Sequence, residues 1–339
     1  MPAVLIGQRD GVAMDSVELQ GEQFRLVVSS ISAETDDIVA IDLVDPAGDA
    51  LPQRAAGAHI EIHLPGNLVR QYSLCNSPFE SDRYKIAVLR EANGRGGSLA
   101  LHGLTEGETV VVSGPKNNFR LAGTEAVHHL LIAGGIGVTP LLSMVDELEA
   151  RSAPFHLHFC AKDEGRAPFL NRIRALAERG VATIHFDGGE IGRGLDLAKL
   201  LEEPVPAQHV YVCGPPGMMD SARNLVGAWA PHTVHFERFA GGPIAMEEDE
   251  WEAVPFEIVA KKSGLVIPVP AHCSIVKALG DAGIEIPVSC EAGFCGACLT
   301  RYVDGNPVHR DTVLSGLERK THALVCRARS RSPILVLDL

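Results

Sequence analysis

The sequence predicts a multidomain protein with an antiparallel β-barrel first, a parallel α/β sheet second and a small C-terminal domain last. Its 339 residues exceed the length of about 250 to 300 at which a single core stops growing. The rhythm of the apolar segments changes after about residue 120, and four of the eight cysteines crowd near the C-terminus. Each of these features marks a separate folding unit.

The barrel is predicted over residues 20–122, after an N-terminal extension at 1–19. Six short apolar segments alternate with turn residues here, namely FRLVVSSI, IVAIDLV, HIEIHLP, RQYSLC, YKIAVLR and ETVVVSG. A helical pattern is found only around Ser98 to Leu104. Short strands at this spacing are typical of a small antiparallel barrel.

Residues 123–238 are predicted to form the α/β domain, because apolar strands there alternate with helical segments. The strands are HHLLIAG, FHLHFCA, VATIHFD, HVYVCG and TVHFERF, and the clearest helices are TPLLSMVDELEAR and FLNRIRALAER. Residues 239–252 are rich in glycine and acids and predict a linker. Residues 253–339 form the last unit.

Charge and hydropathy limit the classes of partner. The net charge of −13 argues against nucleic acid, which needs clustered Lys and Arg. The N-terminal apolar run is too short for a signal-peptide core, and the longest apolar stretch is broken by Gly and Pro. We therefore expect a cytoplasmic protein that binds no membrane.

The cysteine cluster is the strongest local signal. Cys290, Cys295 and Cys298 have the spacing C-x4-C-x2-C, and Cys326 follows Cys298 after 27 intervening residues. This spacing is typical of plant-type 2Fe-2S ferredoxins. A structural zinc site is the alternative, although zinc sites usually use two short paired motifs. Cys273 stands outside the spacing and is expected to pack as a small hydrophobic residue.

Four further motifs occur in a fixed order. They are Arg70-Gln71-Tyr72-Ser73-Leu74, Gly96-Gly97-Ser98, Gly134-Gly135-Ile136-Gly137-Val138-Thr139-Pro140 and Cys213-Gly214-Pro215-Pro216. With the cysteine cluster behind them, these motifs resemble the phthalate dioxygenase reductase and vanillate O-demethylase reductase family of the ferredoxin-NADP reductase superfamily. The resemblance covers residues 20–339, and it implies a flavin barrel, a nicotinamide domain and a β-grasp-like ferredoxin domain.

The resemblance implies a flavin site on the barrel. Arg70 would pair with the flavin phosphate, whose oxygens suit a planar guanidinium. Gly96, Gly97 and Ser98 open a helical stretch and would bind the same phosphate. Tyr72 would pack on the isoalloxazine ring, Ser73 would reach its N5 edge, and Phe239 would pack against the flavin. The other predicted cofactor-binding residues of the barrel are Gln71, Leu74, Val88 and Leu89. Phe236 is an alternative to Phe239.

The resemblance also implies a nicotinamide site. Gly134, Gly135 and Gly137 lie between a strand and a helix, as in turns that bind pyrophosphate. Thr139, Cys213, Gly214 and Pro215 would lie near the nicotinamide, with Ser73, Thr139 and Cys213 as the catalytic candidates. Asp187 ends a strand where a carboxylate would accept a hydrogen bond from the ribose 2′-OH and repel a 2′-phosphate, which favours NADH over NADPH.

The implied function is an NADH-dependent reductase that passes electrons through flavin and the 2Fe-2S cluster to a Rieske-type terminal oxygenase. Domain order favours FMN, because FAD relatives usually place the ferredoxin domain first. The implied protein is a monomer. An FAD-dependent reductase of another acceptor and a redox-sensing electron-transfer module are the alternatives. The organic substrate would bind the oxygenase and is not encoded in this chain.

Overall fold

The computed structural model describes most of the chain. The described residues are 23–65, 68–92, 94, 96–123, 126–190, 192–230, 233–237, 239, 254–288, 293, 296, 298–311, 314, 316 and 318–339. The predicted extension at 1–19 and all of the predicted linker except Phe239 lie outside these residues.

The first sheet has six antiparallel strands in the order β4-β3-β6-β1-β2-β5. After β4, the Cys75 N–H donates to the Lys85 carbonyl of β5, which closes the sheet into a barrel. A buried cluster fills it, including Leu26, Ile41 and Ile60. The elements are β1 Gln23–Thr35, β2 Ile38–Val44, β3 His59–Leu64, β4 Leu68–Ser73, β5 Tyr84–Leu89, α1 Gly97–His102 and β6 Thr109–Lys116.

The second sheet has five parallel strands in the order β11-β10-β7-β8-β9. The chain fills the β7-β8-β9 side first and then returns to place β10 beside β7. Such a reversal of strand order opens a crevice between β7 and β10, at their carboxyl ends. The elements are β7 His128–Gly134, α2 Val138–Ala150, β8 Phe155–Ala161, α3 Leu170–Glu178, β9 Ala182–Phe186, α4 Leu197–Leu200, β10 Gln208–Cys213, α5 Pro216–Leu225 and β11 Val234–Glu237.

The third unit is a mixed sheet in the order β13-β12-β18-β14-β16, in which only the central pair β12 and β18 is parallel. Helix α6 packs Ile275 and Leu279 against it, which is the β-grasp arrangement. Ser274 caps this helix by accepting from the Lys277 N–H at 3.1 Å. The elements are β12 Phe256–Ala260, β13 Leu265–Val269, α6 Ile275–Asp281, β14 Leu299–Asp304, β15 Pro307–Val308, β16 His322–Leu324, β17 Arg329–Ser330 and β18 Ile334–Leu337.

The units contact one another through specific residues. Ala56 and Phe119, from the barrel side, pack into the core of the parallel-sheet domain. The Ala122 N–H donates to the Tyr211 hydroxyl at 2.7 Å. Leu68, at the start of the edge strand β4, forms an isolated parallel bridge with Val288 of the third unit. The first two units therefore share a core, and the third pairs with the barrel edge.

The antiparallel, parallel and β-grasp sheets confirm the predicted fold class. Among the described residues, no helix has both the length and the apolar character needed to cross a membrane.

Candidate functional site

Arg70 and Gly97, from two separate sequence motifs, meet at one corner of the barrel. A Cβ atom built on Gly97 would lie 2.6 Å from Arg70 Cγ and 2.7 Å from Arg70 Nε, so only glycine leaves room for the arginine. Gly96 precedes helix α1 with a φ of 85°, which suits a residue without a side chain. The Arg70 Nη1 also donates to the Val69 carbonyl at 2.8 Å. This corner offers a guanidinium and a bare backbone, as an anion site requires.

The helix of the Gly-Gly-Ser motif is tied to strand β5. Ser98 Oγ accepts from the Glu91 N–H at 3.1 Å, and His102 Nε2 lies 2.9 Å from the Val88 carbonyl. The Val88 side chain is fully buried in the barrel core, whereas Leu89 is half-buried at the strand end. The structure thus brings the segment 88–91 to the phosphate corner, although the serine hydroxyl is already used by the protein.

The residues of β4 alternate between two surroundings. Tyr72 packs partly against the barrel core, and burial raises the pKa of its phenol. Leu74 is fully buried. Gln71 points to the opposite face, where its Nε2 donates to Glu61 Oε1 at 3.1 Å. Because successive side chains of a strand point to opposite faces of the sheet, Tyr72 lies on one face of β4 and Gln71 and Ser73 lie on the other.

Glu61 is a buried anion on that opposite face. Burial favours its neutral form, yet the ammonium of Lys116 at 2.7 Å and hydrogen bonds from Gln71 and Ser113 hold the pKa of Glu61 below its usual value. His59, the cross-strand neighbour of Ser73, is also buried, and burial lowers its pKa to about 4. Within the described residues, its Nε2 has no hydrogen-bond partner. This nitrogen is a buried polar atom beside the serine of the flavin motif.

Ser73 contacts the parallel-sheet domain directly. Its Oγ donates to Glu237 Oε2 at 3.3 Å, across the boundary between the barrel and the second unit. Burial raises the pKa of Glu237 to about 8, and the hydrogen bond from Ser73 offsets only part of this effect. Burial therefore favours the protonated form of Glu237, which is partly exposed at the end of β11.

Cys213 is the neighbour of Glu237 in the parallel sheet, where the two residues are paired in register. The Cys213 side chain is fully buried, and burial raises the pKa of its thiol well above the usual value, with the charge of Glu237 adding to the effect. The thiol is thus protonated. The structure brings together Ser73 and Cys213, two predicted catalytic residues, and adds Glu237 to them.

The glycine turn after β7 packs against the turn after β10. A Cβ on Gly137 would clash with the carbonyl oxygen of Cys213 and would lie 2.8 Å from the Gly214 nitrogen. A Cβ on Gly134 would lie 2.5 Å from Pro215 Cδ. Gly135 has a φ of 52° and open space around its Cα. The two turns therefore form one glycine-lined crevice at the carboxyl ends of β7 and β10, where a pyrophosphate can approach the backbone.

Thr139 lies in the first turn of α2, next to this crevice. Its side chain is buried, and its Oγ1 donates to the Ile136 carbonyl at 3.1 Å. The hydroxyl thereby stabilises the glycine turn. A role of Thr139 beside the nicotinamide stays a prediction.

Three predicted cofactor contacts lie outside the glycine turns: Asp187 for the adenosine ribose, and Phe236 or Phe239 for the flavin ring. Asp187 directly follows β9, and its Oδ1 accepts from the Gly189 N–H at 2.7 Å. Phe236 packs into the core beneath α5, with the Arg223 guanidinium 5.0 Å from its ring, so it faces away from Ser73. Phe239 is 37% exposed. Of the two phenylalanines, Phe239 remains the candidate.

Two of the four predicted cluster ligands are described, and they meet. The Cys326 N–H donates to Cys298 Sγ at 3.4 Å, and both side chains are buried. Backbone N–H groups that point at ligand sulfurs are a feature of iron-sulfur sites. Gly293, with a φ of 78°, packs against the Arg310 carbonyl at 3.1 Å from its built Cβ. Cys290 and Cys295 lie outside the described residues.

No group of three His, Cys, Asp or Glu side chains could hold a metal ion in the described part of the chain. That part lacks two of the four predicted cysteines. The observation relevant to a cluster is therefore that the two described cysteines, Cys298 and Cys326, are buried next to each other. Cys273 is half-buried and packs against the core of the third unit, outside this pair.

Sequence reasoning missed Glu237. Glu237 is the last residue of the strand segment VHFE, so the sequence alone could have placed it at the carboxyl edge of the sheet. Its burial and its contact with Ser73 were not, because they depend on how the barrel docks on the second unit.

Two family models match the chain. A 2Fe-2S iron-sulfur cluster binding domain matches residues 258–331, and an oxidoreductase NAD-binding domain matches residues 131–224. These matches coincide with the β-grasp unit and with the parallel sheet. They support the assignment of the cysteine pair to a 2Fe-2S site and of the glycine crevice to a nicotinamide dinucleotide.

The chain is similar over nearly its whole length to reductase components. It is 42% identical to a tert-butanol monooxygenase / tert-amyl alcohol desaturase reductase subunit of Aquincola tertiaricarbonis, covering 93% of this chain and 95% of the relative. It is 41% identical to a vanillate O-demethylase oxidoreductase of Pseudomonas sp. (strain HR199 / DSM 7063), covering 93% and 99%.

A solved structure has the same architecture. The structure of phthalate dioxygenase reductase, described as modular for electron transfer from pyridine nucleotides to 2Fe-2S, matches with a TM-score of 0.70 and 39% identity. The match covers 94% of this chain and 98% of that one.

Proposed function

Because the chain belongs to the family of phthalate dioxygenase reductases and vanillate O-demethylase reductases, we propose that it carries electrons from NADH through FMN and a 2Fe-2S cluster to a Rieske-type terminal oxygenase. The contact between Ser73 and Glu237 is the main structural support, since it joins the flavin motif to the nicotinamide domain. A hydride can pass only where the two cofactors meet.

When bound, the flavin supplies two-electron acceptance with single-electron release, and the cluster supplies one-electron transfer. The protein residues position these groups. Arg70 and the backbone at Gly96 and Gly97 would hold the flavin phosphate, and the crevice at Gly134, Gly137 and Gly214 would hold the nucleotide pyrophosphate.

Ser73 and Glu237 would hold a hydrogen bond at the point of hydride delivery. Burial favours the neutral form of Glu237, which would place no full negative charge beside the incoming hydride. The protonated thiol of Cys213 adds none either. We assign both residues to orienting the nicotinamide and excluding water, and we assign no nucleophilic role to Cys213.

FMN is proposed over FAD because the ferredoxin unit follows the nicotinamide domain, as the family resemblance expects of FMN proteins. Phe239, 37% exposed and close in sequence to Glu237, is the proposed aromatic partner of the isoalloxazine, a ring that both flavins share. Extraction of the flavin and mass measurement distinguishes the two, and a mass of FAD would overturn this part of the proposal.

The oxygenase partner is tested by reconstitution. We expect the purified protein to oxidise NADH with ferricyanide alone and to support substrate turnover only when a Rieske-type oxygenase is added. Absence of NADH oxidation with any acceptor would contradict the reductase and favour a redox sensor. Turnover of an FAD-loaded protein with an unrelated acceptor would favour the other alternative.

We also propose that the protein acts as a monomer in the cytoplasm, where NADH is available. Light scattering on the flavin- and cluster-loaded protein tests the oligomeric state. A mass of twice the 36.2 kDa chain would overturn the monomer.

A further inference from the structure

A small cavity opens beyond the carboxyl ends of β8 and β9. Its volume is about 70 Å³, and the residues that line it include Cys160, His185, Asp187, Arg193, Gly194 and Met218. It combines a carboxylate and a guanidinium with apolar walls. Such surroundings can distinguish a ribose with a charged 2′ substituent from a ribose with an uncharged one.

Met218 connects this cavity with the glycine crevice. Its sulfur lies 3.1 Å from a Cβ built on Gly134 and 2.8 Å from a Cβ built on Gly214. Cys160, on the cavity wall, is the register partner of Gly134 in the neighbouring strand. A dinucleotide whose pyrophosphate lies in the crevice would therefore place its adenosine end at the cavity.

Asp187 is held in place by its own loop. Its Oδ1 accepts from the Gly189 N–H at 2.7 Å, and its carbonyl accepts from the Glu190 N–H at 3.0 Å. Gly194, with a φ of 86°, packs on it, with a built Cβ 3.3 Å from Asp187 Cβ. The carboxylate is therefore fixed at the cavity wall.

Arg193 is the cation on the cavity wall, and Glu190 pairs with it. Arg193 Nη1 lies 2.8 Å from Glu190 Oε1, and the Arg193 N–H donates to the Glu190 carbonyl at 3.3 Å. Asp187 and Arg193 thus line the cavity, and Glu190 pairs with the guanidinium from the same turn of chain. A 2′-phosphate would meet a net negative site whose guanidinium is already paired.

We propose that Glu190 is a second selectivity residue for NADH, which acts by pairing with Arg193 so that the guanidinium does not bind a 2′-phosphate. The Asp187 carboxylate repels the phosphate. The Glu190 carboxylate pairs with the Arg193 guanidinium, which would otherwise attract the phosphate. This inference rests on the proposed function, because it concerns the nucleotide that the reductase uses.

The test compares nucleotides on the holoenzyme at fixed ionic strength. The ratio of kcat/KM for NADPH to that for NADH is measured with ferricyanide, and binding of 2′,5′-ADP and ADP is measured by calorimetry. Glu190→Gln should raise both the NADPH ratio and the relative affinity for 2′,5′-ADP by roughly fivefold, the upper range for one exposed ion pair. Adding Asp187→Ser should raise them further.

The decisive comparison is between Glu190→Gln and Glu190→Gln/Arg193→Gln. If the gain in NADPH ratio and 2′,5′-ADP affinity comes from the Arg193 guanidinium that Glu190 no longer pairs with, the added Arg193→Gln substitution removes that gain. Glu164→Gln is the matched control, because the Glu164 side chain is as exposed as that of Glu190 and forms an ion pair with Arg174 elsewhere on the same domain.

Unchanged nucleotide ratios in Glu190→Gln, or a gain that persists without Arg193, would overturn the inference. A wild-type protein that oxidises neither nucleotide would overturn the proposed function instead. In that case the affinities for ADP and 2′,5′-ADP would still test Glu190 and Arg193.

Discussion

Ser73 and Glu237 are hydrogen bonded across the boundary between the barrel and the parallel-sheet domain, at 3.3 Å. The serine ends β4, which also carries Arg70, and the glutamate ends β11, beside Cys213. One contact therefore joins the proposed flavin strand to the strand edge proposed for the nicotinamide. Burial of the glutamate makes this contact sensitive to pH.

We predict that Glu237 lowers stability as the pH rises. The pKa of Glu237 is about 8 in the folded protein, against 4.5 for an ordinary glutamate. Between these values the folded protein keeps a proton that the unfolded chain has released. Glu237 should therefore lower the free energy of unfolding by about 1.4 kcal/mol per pH unit in that window, and no further above it.

Urea unfolding of the wild type and Glu237→Gln between pH 5 and pH 9 measures this effect. The difference between the two proteins isolates Glu237 from the histidines that titrate in the same range. Equal pH slopes in both proteins would show that Glu237 is ionised, or solvated, in the folded state.

We predict that Gly97→Ala weakens flavin binding by displacing Arg70. The new methyl group would clash with the arginine stem, and the guanidinium would move away from the phosphate corner. Loss of this charge-assisted pair should cost roughly 2 to 4 kcal/mol of flavin affinity, as should Arg70→Ala. Fluorescence titration of the stripped protein with FMN measures the dissociation constant.

Gly103→Ala is the matched control for this substitution. Gly103 ends the same helix, and a Cβ there has no neighbour closer than 3.4 Å. If Gly97→Ala and Gly103→Ala bind FMN equally well, the corner at Arg70 does not hold the flavin phosphate.

We predict that Gly137→Ala raises the KM for NADH. A Cβ at this position would push the glycine turn away from Cys213 and Gly214 and would displace the backbone that lines the crevice. A displacement of about 1 Å can cost on the order of a hundredfold in kcat/KM. Stopped-flow reduction of the flavin by NADH measures both the affinity and the rate.

The control is Gly217→Ala, since Gly217 lies in α5 and has nothing within 4 Å of a built Cβ. Flavin content should stay normal in both variants. Normal NADH kinetics in Gly137→Ala would place the nucleotide away from this crevice.

We predict that Cys298→Ala separates flavin reduction from delivery to the oxygenase. Cys298 is one of the two predicted cluster ligands that the structure describes, and its sulfur accepts the N–H of Cys326. The variant should lose its cluster absorbance and its support of the oxygenase. It should still bleach its flavin with NADH and reduce ferricyanide, because a small acceptor can reach the flavin directly.

Cys273→Ala serves as the control, as Cys273 lies outside the ligand spacing. It should keep the cluster and support the oxygenase. Normal oxygenase turnover by a cluster-free Cys298→Ala protein would remove the cluster from the electron path.

The fold and the cofactor motifs were predictable because each depends on local order along the chain. Period-two apolar segments predicted the barrel strands, and alternating strands and helices predicted the parallel sheet. The spacing of Cys290, Cys295, Cys298 and Cys326 predicted a 2Fe-2S domain, which the matching family model confirms, and the four residues as its ligands stay a prediction. Short-range sequence carries this information because secondary structure and ligand loops form from neighbouring residues.

Only the tertiary structure decided which distant residues meet. Gly97 must be small because Arg70, 27 residues earlier, crosses over it. Glu237 has a raised pKa because the barrel buries it against Ser73, which lies 164 residues earlier. Packing between segments far apart in sequence sets burial and charge pairing, and those two quantities determine how the site works.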